Sequence, residues 1–220
     1  MIAIIGDLIK SRQIQDRHSM QEQLKDCLDD INEKYSDIII SRFTITLGDE
    51  FQGLLLTGHN CLRILDEIAL RIYPATIRYG LGVGELSTLI NSGLCIGMDG
   101  PVFWKAREAI QLIHKNNDYG RTNIHLCSQK NDPSVPLINE IIKLTAFQAS
   151  GWRSSQKDLY QLILKDGITS PDRINHHSMA SRLGILDSSL TRRFESSGIK
   201  RYMTARLKAE SAIEKLNTLL

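Results

Sequence analysis

Apolar and polar positions along this chain switch repeatedly between the period of a strand and the period of a helix. Ile2-Ala3-Ile4-Ile5-Gly6 is a short continuous apolar run, as in a buried strand, and it ends at Asp7. Past Leu8-Ile9-Lys10-Ser11-Arg12, apolar residues recur at Met20, Leu24, Cys27, Leu28, Ile31 and Tyr35, which predicts an amphipathic helix. Ile38–Phe43 resumes strand character. It runs into Phe43–Leu56, two β-prone stretches around Gly48-Asp49-Glu50, which predicts a hairpin with two carboxylates at its tip. Cys61, Leu62, Leu65, Ile68, Ala69 and Ile72 mark a second helix, closed before Pro74. Thr76–Gly84 is strand-like, and Gly97–Pro101 is a turn with Pro101 suited to a first helical position. A helix over Val102–His114 and a last strand over Thr122–Cys127 follow.

The expected order is β-α-β-β-α-β with one further helix and strand, an α+β chain of the ferredoxin-like or palm arrangement. Ser128–Pro136 is polar, holds two prolines and reads as a loop. From about Asn139 the pattern is helical, with Leu159, Leu162 and Ile163 in one helix that ends near Gly167. Met179, Leu183, Ile185 and Leu190, with Ala180 and Gly184 four apart, suit a helix-turn-helix whose second helix is capped near Ser188 or Ser189. The expected division is therefore a palm over 1–130, a linker or helix over 131–151 and a helix-turn-helix over 152–220.

Charge sharpens that division. Residues 1–151 carry 15 Lys/Arg against 18 Asp/Glu, a net of −3, while residues 152–220 carry 12 against 7, a net of +5. A basic segment on an acidic body points to a polyanionic partner for the second part. No apolar run nears the ~20 residues of a membrane span, so no membrane partner is expected. The chain enters a strand without a basic-then-apolar leader, and Cys27, Cys61, Cys95 and Cys127 form no Cys-x-x-Cys pair. A cytoplasmic setting is expected, with neither zinc knuckle nor disulfide framework.

The candidate chemistry lies at the carboxylates. If the first strand pairs beside the hairpin, Asp7 and Asp49 face one site from neighbouring strand ends, with Glu50 next to it. Oxygen ligands so placed suit Mg²⁺ or Mn²⁺ and the phosphates of a nucleoside triphosphate. The amides of Leu8, Ile9, Lys10 and Ser11 could cradle phosphate as the chain turns, and Lys10 and Arg12 add charge. The residues leave a plainer alternative open: Gly-Asp-Glu is also a common hairpin tip, and Asp7 could only cap a helix. His18, His59, His114 and His125 are scattered and read as surface or packing residues. A Walker-type phosphate loop is absent, and Gly80-x-Gly82-x-Gly84 lacks the rest of a dinucleotide fingerprint.

In the second part, the helix-turn-helix reading puts Ser188, Ser189, Thr191, Arg192 and Arg193 at the major groove of double-stranded DNA, with Lys200, Arg201, Arg206 and Lys208 along its backbone. A small helical bundle that packs on the first part or mediates dimers is the alternative.

The first 127 or so residues resemble the catalytic domain of class III nucleotide cyclases and of diguanylate cyclases, the GGDEF domains. Asp7 falls at their first metal-binding aspartate, and Leu47-Gly48-Asp49-Glu50-Phe51 at their metal-binding hairpin. Ile77-Arg78-Tyr79-Gly80-Leu81-Gly82-Val83-Gly84 resembles their Arg-x-Gly-x-x-x-Gly strand. Pro101–Arg107 resembles the helix with their transition-state asparagine and arginine; Arg107 holds the arginine position and Phe103 the asparagine's. That likeness implies metal-bound nucleotide, Asp7, Asp49 and Arg107 as catalytic residues, and a homodimer. Taken whole, Gly6-Asp7-Leu8-Ile9-Lys10-Ser11-Arg12, Gly48–Gln52 and the C-terminal helix-turn-helix resemble the SatD family, which implies a bacterial, cytoplasmic and stress-linked protein. The functional expectation is a nucleotide-binding palm coupled to a helix-turn-helix, a cyclase or nucleotidyl-transfer enzyme or a nucleotide-sensing regulator. The alternative is a DNA-binding regulator whose palm is a non-catalytic dimerisation scaffold.

Overall fold

The computed structural model describes residues 1–115 and 122–219. The chain is an α+β protein, and among the described residues five strands form one mixed sheet. The strands are β1 (Ile2–Leu8), β2 (Ile39–Ile45), β3 (Glu50–Leu55), β4 (Ile77–Val83) and β5 (Ile124–Ser128). Their order across the sheet is β2-β3-β1-β4-β5, with β1 in the middle. It runs antiparallel to β3 and β4, and β5 lies parallel to β4. Helices α1 (Arg17–Lys34) and α2 (Cys61–Arg71) join β1 to β2 and β3 to β4, and α3 (Pro101–Lys115) precedes β5.

Strand alternation divides the core. Ile2, Ile4, Phe51, Leu55, Tyr79 and Leu81 face α1 and α2, whereas Ala3, Ile5 and Leu54 face Val102, Phe103 and Ala106 of α3. Helix α3 approaches β4 so closely that a Cβ on Gly80 would lie 2.1 Å from the Ala106 carbonyl oxygen, and one on Gly82 2.0 Å from that of Val102. Only glycine fits there. This contact lays α3 along β4 and carries its last turn towards Arg78.

Helix α4 (Ser134–Ser150) begins inside the stretch expected to be a loop. Pro136 is its third residue, where the amide needs no intrahelical partner, and the Asp132 carboxylate accepts from the Ser134 amide at 2.8 Å. Its Asn139 closes the free edge of β5. The Asn139 side-chain oxygen accepts from the Leu126 amide and its nitrogen donates to the Leu126 carbonyl, both at 2.9 Å. One side-chain amide thus replaces a neighbouring strand.

The remaining helices are α5 (Ser154–Lys165), α6 (His176–Arg182), α7 (Asp187–Ser197) and α8 (Ile199–Thr218). Gly184 at φ 63° ends α6, and α7 starts at Asp187, slightly before the expected cap. Trp152, Tyr160 and Tyr202 meet edge-on, with centroids 4.9–5.3 Å apart, in a second core with Leu159, Leu190 and Phe194. The two cores share α8. Its Ile199, Tyr202 and Met203 belong to the second, while Ala209, Ile213 and Leu216 lie in the sheet's core.

Polar groups knit the junction. Asp66 of α2 accepts from the hydroxyls of Tyr160 and Tyr202 at 2.8 Å and lies 3.5 Å from the Arg206 guanidinium. Glu210 accepts from the Leu62 and Arg63 amides at 2.9 and 3.0 Å, satisfying the N-terminus of α2 from another helix. Arg206 is 6% exposed, so it is a junction residue and not the phosphate-tracking side chain expected from its charge. Among the described residues no helix is long and apolar enough to cross a membrane.

Candidate functional site

At one end of the sheet, β1 sets Asp7 between two partners. In register it faces Glu50 of β3 on one side and Arg78 of β4 on the other. Directly opposed residues share a face, so Glu50, Asp7 and Arg78 form one row on the α3 side. Arg78 donates to Asp7 Oδ1 at 3.0 Å, and His114 Nε2, from the last turn of α3, lies 3.4 Å from Asp7 Oδ2. The Asp7 and Arg78 side chains are each 21% exposed. Thr46 Oγ1 donates to Glu50 Oε1 at 3.3 Å.

The hairpin tip is braced against the turn that follows β1. Gly48 takes φ 64°, and its carbonyl accepts from the Gln21 side chain of α1 at 2.8 Å. Asp49 gives its backbone oxygen to the Leu8 amide at 3.0 Å and its carboxylate to the Ser11 hydroxyl at 2.5 Å. Lys10, between them, is left-handed at φ 56°. Such a conformation is uncommon outside glycine and costs free energy, and strain of this kind gathers at functional sites.

The expected residues meet in part. Asp7, Glu50, Asp49, Ser11 and Lys10 come together at this end, but the immediate neighbour of Asp7 is Glu50, because Asp49 stands one residue beyond the last β1–β3 pair. The amides of Leu8 and Ile9 cannot cradle phosphate. They donate to the carbonyls of Asp49 and Thr76, at 3.0 and 2.8 Å. That leaves the amides of Lys10 and Ser11 for the role. The side chain of Arg12 lies outside the described residues. Arg107 is exposed on α3, seven residues before His114, so it stands ~10 Å along the helix axis from the group that meets Asp7. Arg78 and His114 were not expected at the site. Strand alternation puts Arg78 on the face of Gly80 and Gly82, and the ferredoxin-like order sets β4 beside β1, so the signal for Arg78 was in the sequence.

Among the described residues, no three His, Cys, Asp or Glu side chains converge as a ready metal cage. The donor set nonetheless fits a hard cation that keeps most of its shell in phosphate and water. Asp7 and Glu50 offer neighbouring carboxylates, while the Asp49 carboxylate is engaged by the Ser11 hydroxyl. A groove of about 740 Å³ opens beside this row, with Lys10 and Arg78 in its wall.

Away from the sheet, Ser188, Ser189, Thr191 and Arg192 are exposed at the start of α7. Arg193 is half-buried and donates to the Ser155 carbonyl at 3.3 Å. Among the buried titratable groups, burial pushes Glu210 up to about 7 and the Cys27 and Cys127 thiols up to about 11. His125 is pulled down by burial and then by Lys143.

The family model described as the SatD family matches residues 1–213. No curated protein matches the chain.

Proposed function

The chain belongs to the SatD family, and from that premise we propose that its sheet end binds a nucleoside triphosphate with Mg²⁺ or Mn²⁺. The observation that carries the reading is the row Glu50–Asp7–Arg78 beside the left-handed Lys10 turn. It sets carboxylates for a cation and two basic side chains for phosphate at one open strand end. A bound divalent ion would neutralise phosphate charge and polarise the phosphoryl group. In its absence Arg78 occupies the Asp7 carboxylate. On binding, Arg78 exchanges Asp7 for a phosphate oxygen, and Lys10 takes another. Within this reading the sheet and its helices are a palm of the nucleotide-cyclase type.

Cyclisation or nucleotidyl transfer on that ligand needs a further cation at the transferring phosphoryl group. Arg107 stands about two turns along α3 from His114, the group that meets Asp7, so a homodimer in which a second copy presents it is the arrangement that would serve. Trp104, one turn before Arg107, is 54% exposed, and Leu89 is 93% exposed on the loop before α3. Both favour a partner on that side.

The C-terminal helices support a second role. Helix α6, the Gly184 turn and α7 form a helix-turn-helix in this reading, with Ser188, Ser189, Thr191 and Arg192 directed to DNA. A DNA-binding regulator with the sheet as an inert dimer scaffold is the rival account.

Thermal unfolding with ATP, GTP, CTP and UTP, each with and without Mg²⁺ or Mn²⁺, separates the two. A ligand at ~100 times its dissociation constant adds ~2.7 kcal/mol, a shift of several degrees at this size. The shift is expected to require metal and to vanish in Asp7→Ala and Asp49→Ala. No shift with any nucleotide would leave the scaffold account standing. Arg192→Ala is expected to weaken DNA binding and leave the nucleotide shift unchanged.

A further inference from the structure

The groove beside the carboxylates has a wall chemistry that phosphate alone does not explain. Lys10 and Arg78 line it, but so do Ile14, Met20 and Pro74, and two side-chain amides, Gln13 and Asn123. Arg78 projects on the α3 face of the sheet, while Met20 and Ala75 pack against the core of the opposite face. The groove therefore wraps around the strand ends, from the Asp7 row to the start of α1. Its volume of about 740 Å³ sits within the range of small-molecule sites, which are mostly apolar with a few placed polar groups.

We infer that this groove is the nucleoside subsite of the proposed nucleotide site: the base lies on Ile14, Met20 and Pro74, and Gln13 and Asn123 hydrogen-bond its edge or the ribose hydroxyls. The inference rests on the metal-nucleotide reading and adds which part of the ligand goes where. Arg78 fixes the direction, because it belongs to both the groove wall and the Asp7 row. Phosphates lie at that junction and the nucleoside extends towards α1. A bare polyphosphate would leave the apolar wall in water, whereas a flat base covers it. Carboxamides both donate and accept, so they suit a heterocycle edge.

Thr76 supplies the test. Its side chain is exposed in the groove wall, and its carbonyl alone serves the fold by accepting from the Ile9 amide. Thr76→Trp fills the groove while Asp7, Lys10 and Arg78 themselves stay unsubstituted. Calorimetric titrations would compare the four Mg²⁺-nucleoside triphosphates with Mg²⁺ and inorganic triphosphate, on wild type, Thr76→Trp, Gln13→Ala and Asp7→Ala. Thr76→Trp is expected to weaken the nucleotides by at least about tenfold and triphosphate by less than about twofold, with its unfolding midpoint held near wild type. Gln13→Ala is expected to alter the preference among the four bases, and Asp7→Ala to abolish binding of every ligand. Equal loss of nucleotide and triphosphate in Thr76→Trp, or no loss of either, overturns the subsite while leaving the carboxylate site intact. So does wild type binding triphosphate as tightly as any nucleotide. Wild type binding nothing overturns the parent reading and this one together.

Discussion

Two clusters that mix acidic and basic side chains have opposite characters. At the α2–α8 junction, Asp66, Arg206 and Glu210 are each less than a tenth exposed. Asp66 takes hydrogen bonds from two tyrosine hydroxyls and Glu210 from two amides. At the sheet end, Asp7 and Arg78 remain a fifth exposed, and the Asp7 carboxylate meets the side chains of Arg78 and His114. The first cluster joins two cores and has nowhere to release its partners. The second is open to solvent, and the proposed site requires it to exchange a cationic side chain for a cationic ligand. A perturbed titration is a common flag for a functional site, and here it would mislead. Glu210 carries a large shift because burial opposes its charge, yet it lies at the junction and not at the proposed site.

The largest expected effect lies at the junction. Asp66→Ala strips the buried Arg206 of its counter-charge and two tyrosines of their acceptor, which costs about 3–5 kcal/mol in denaturant unfolding. A cost under about 1 kcal/mol would remove the idea that this network binds the cores together.

The next is a pH effect. The folded state holds the Glu210 proton up to about 7, against 4.5 for an ordinary side chain. Between those values the folded state binds more protons than the unfolded one. The contribution of Glu210 is therefore full at low pH and is lost as pH rises through about 7. Stability of wild type relative to Glu210→Gln should fall by about 3 kcal/mol between pH 4.5 and pH 8. A flat difference would contradict the buried setting of Glu210.

The smallest effect belongs to the sheet end. Without ligand, Asp7→Ala should change stability by less than about 1 kcal/mol, since a partly exposed ion pair contributes little. A loss matching that of Asp66→Ala would make Asp7 a structural residue and erase the contrast.

How far the sequence disclosed these regions follows from the reach of its signals. Apolar periods located the strands and most helices, and the hairpin tip falls at Leu47–Asp49, with Glu50 already in β3 rather than at the expected tip. Register is a different matter. One residue decides whether Asp49 or Glu50 shares a face with Asp7, and a carboxylate pair at adjacent positions carries no sign of which. The pairing of β4 with β1, which brings Arg78, has no local signature and follows only from the ferredoxin-like order taken as a whole. Helix α4 was hidden behind Pro136, whose helical position is harmless only because it falls in the first turn. Arg206 did leave a trace. Ile199, Tyr202, Met203, Arg206, Ala209, Glu210, Ile213 and Leu216 lie at one helical spacing, so Arg206 and Glu210 stand within an apolar stripe.

The most direct test of the sheet-end site is electron paramagnetic resonance of Mn²⁺ titrated into the protein with a nucleoside triphosphate, on wild type, Asp7→Ala and Glu50→Gln. The account predicts Mn²⁺ binding that the nucleotide strengthens in wild type, is lost in Asp7→Ala and weakened in Glu50→Gln. Mn²⁺ and nucleotide binding as tightly to Asp7→Ala as to wild type would contradict it.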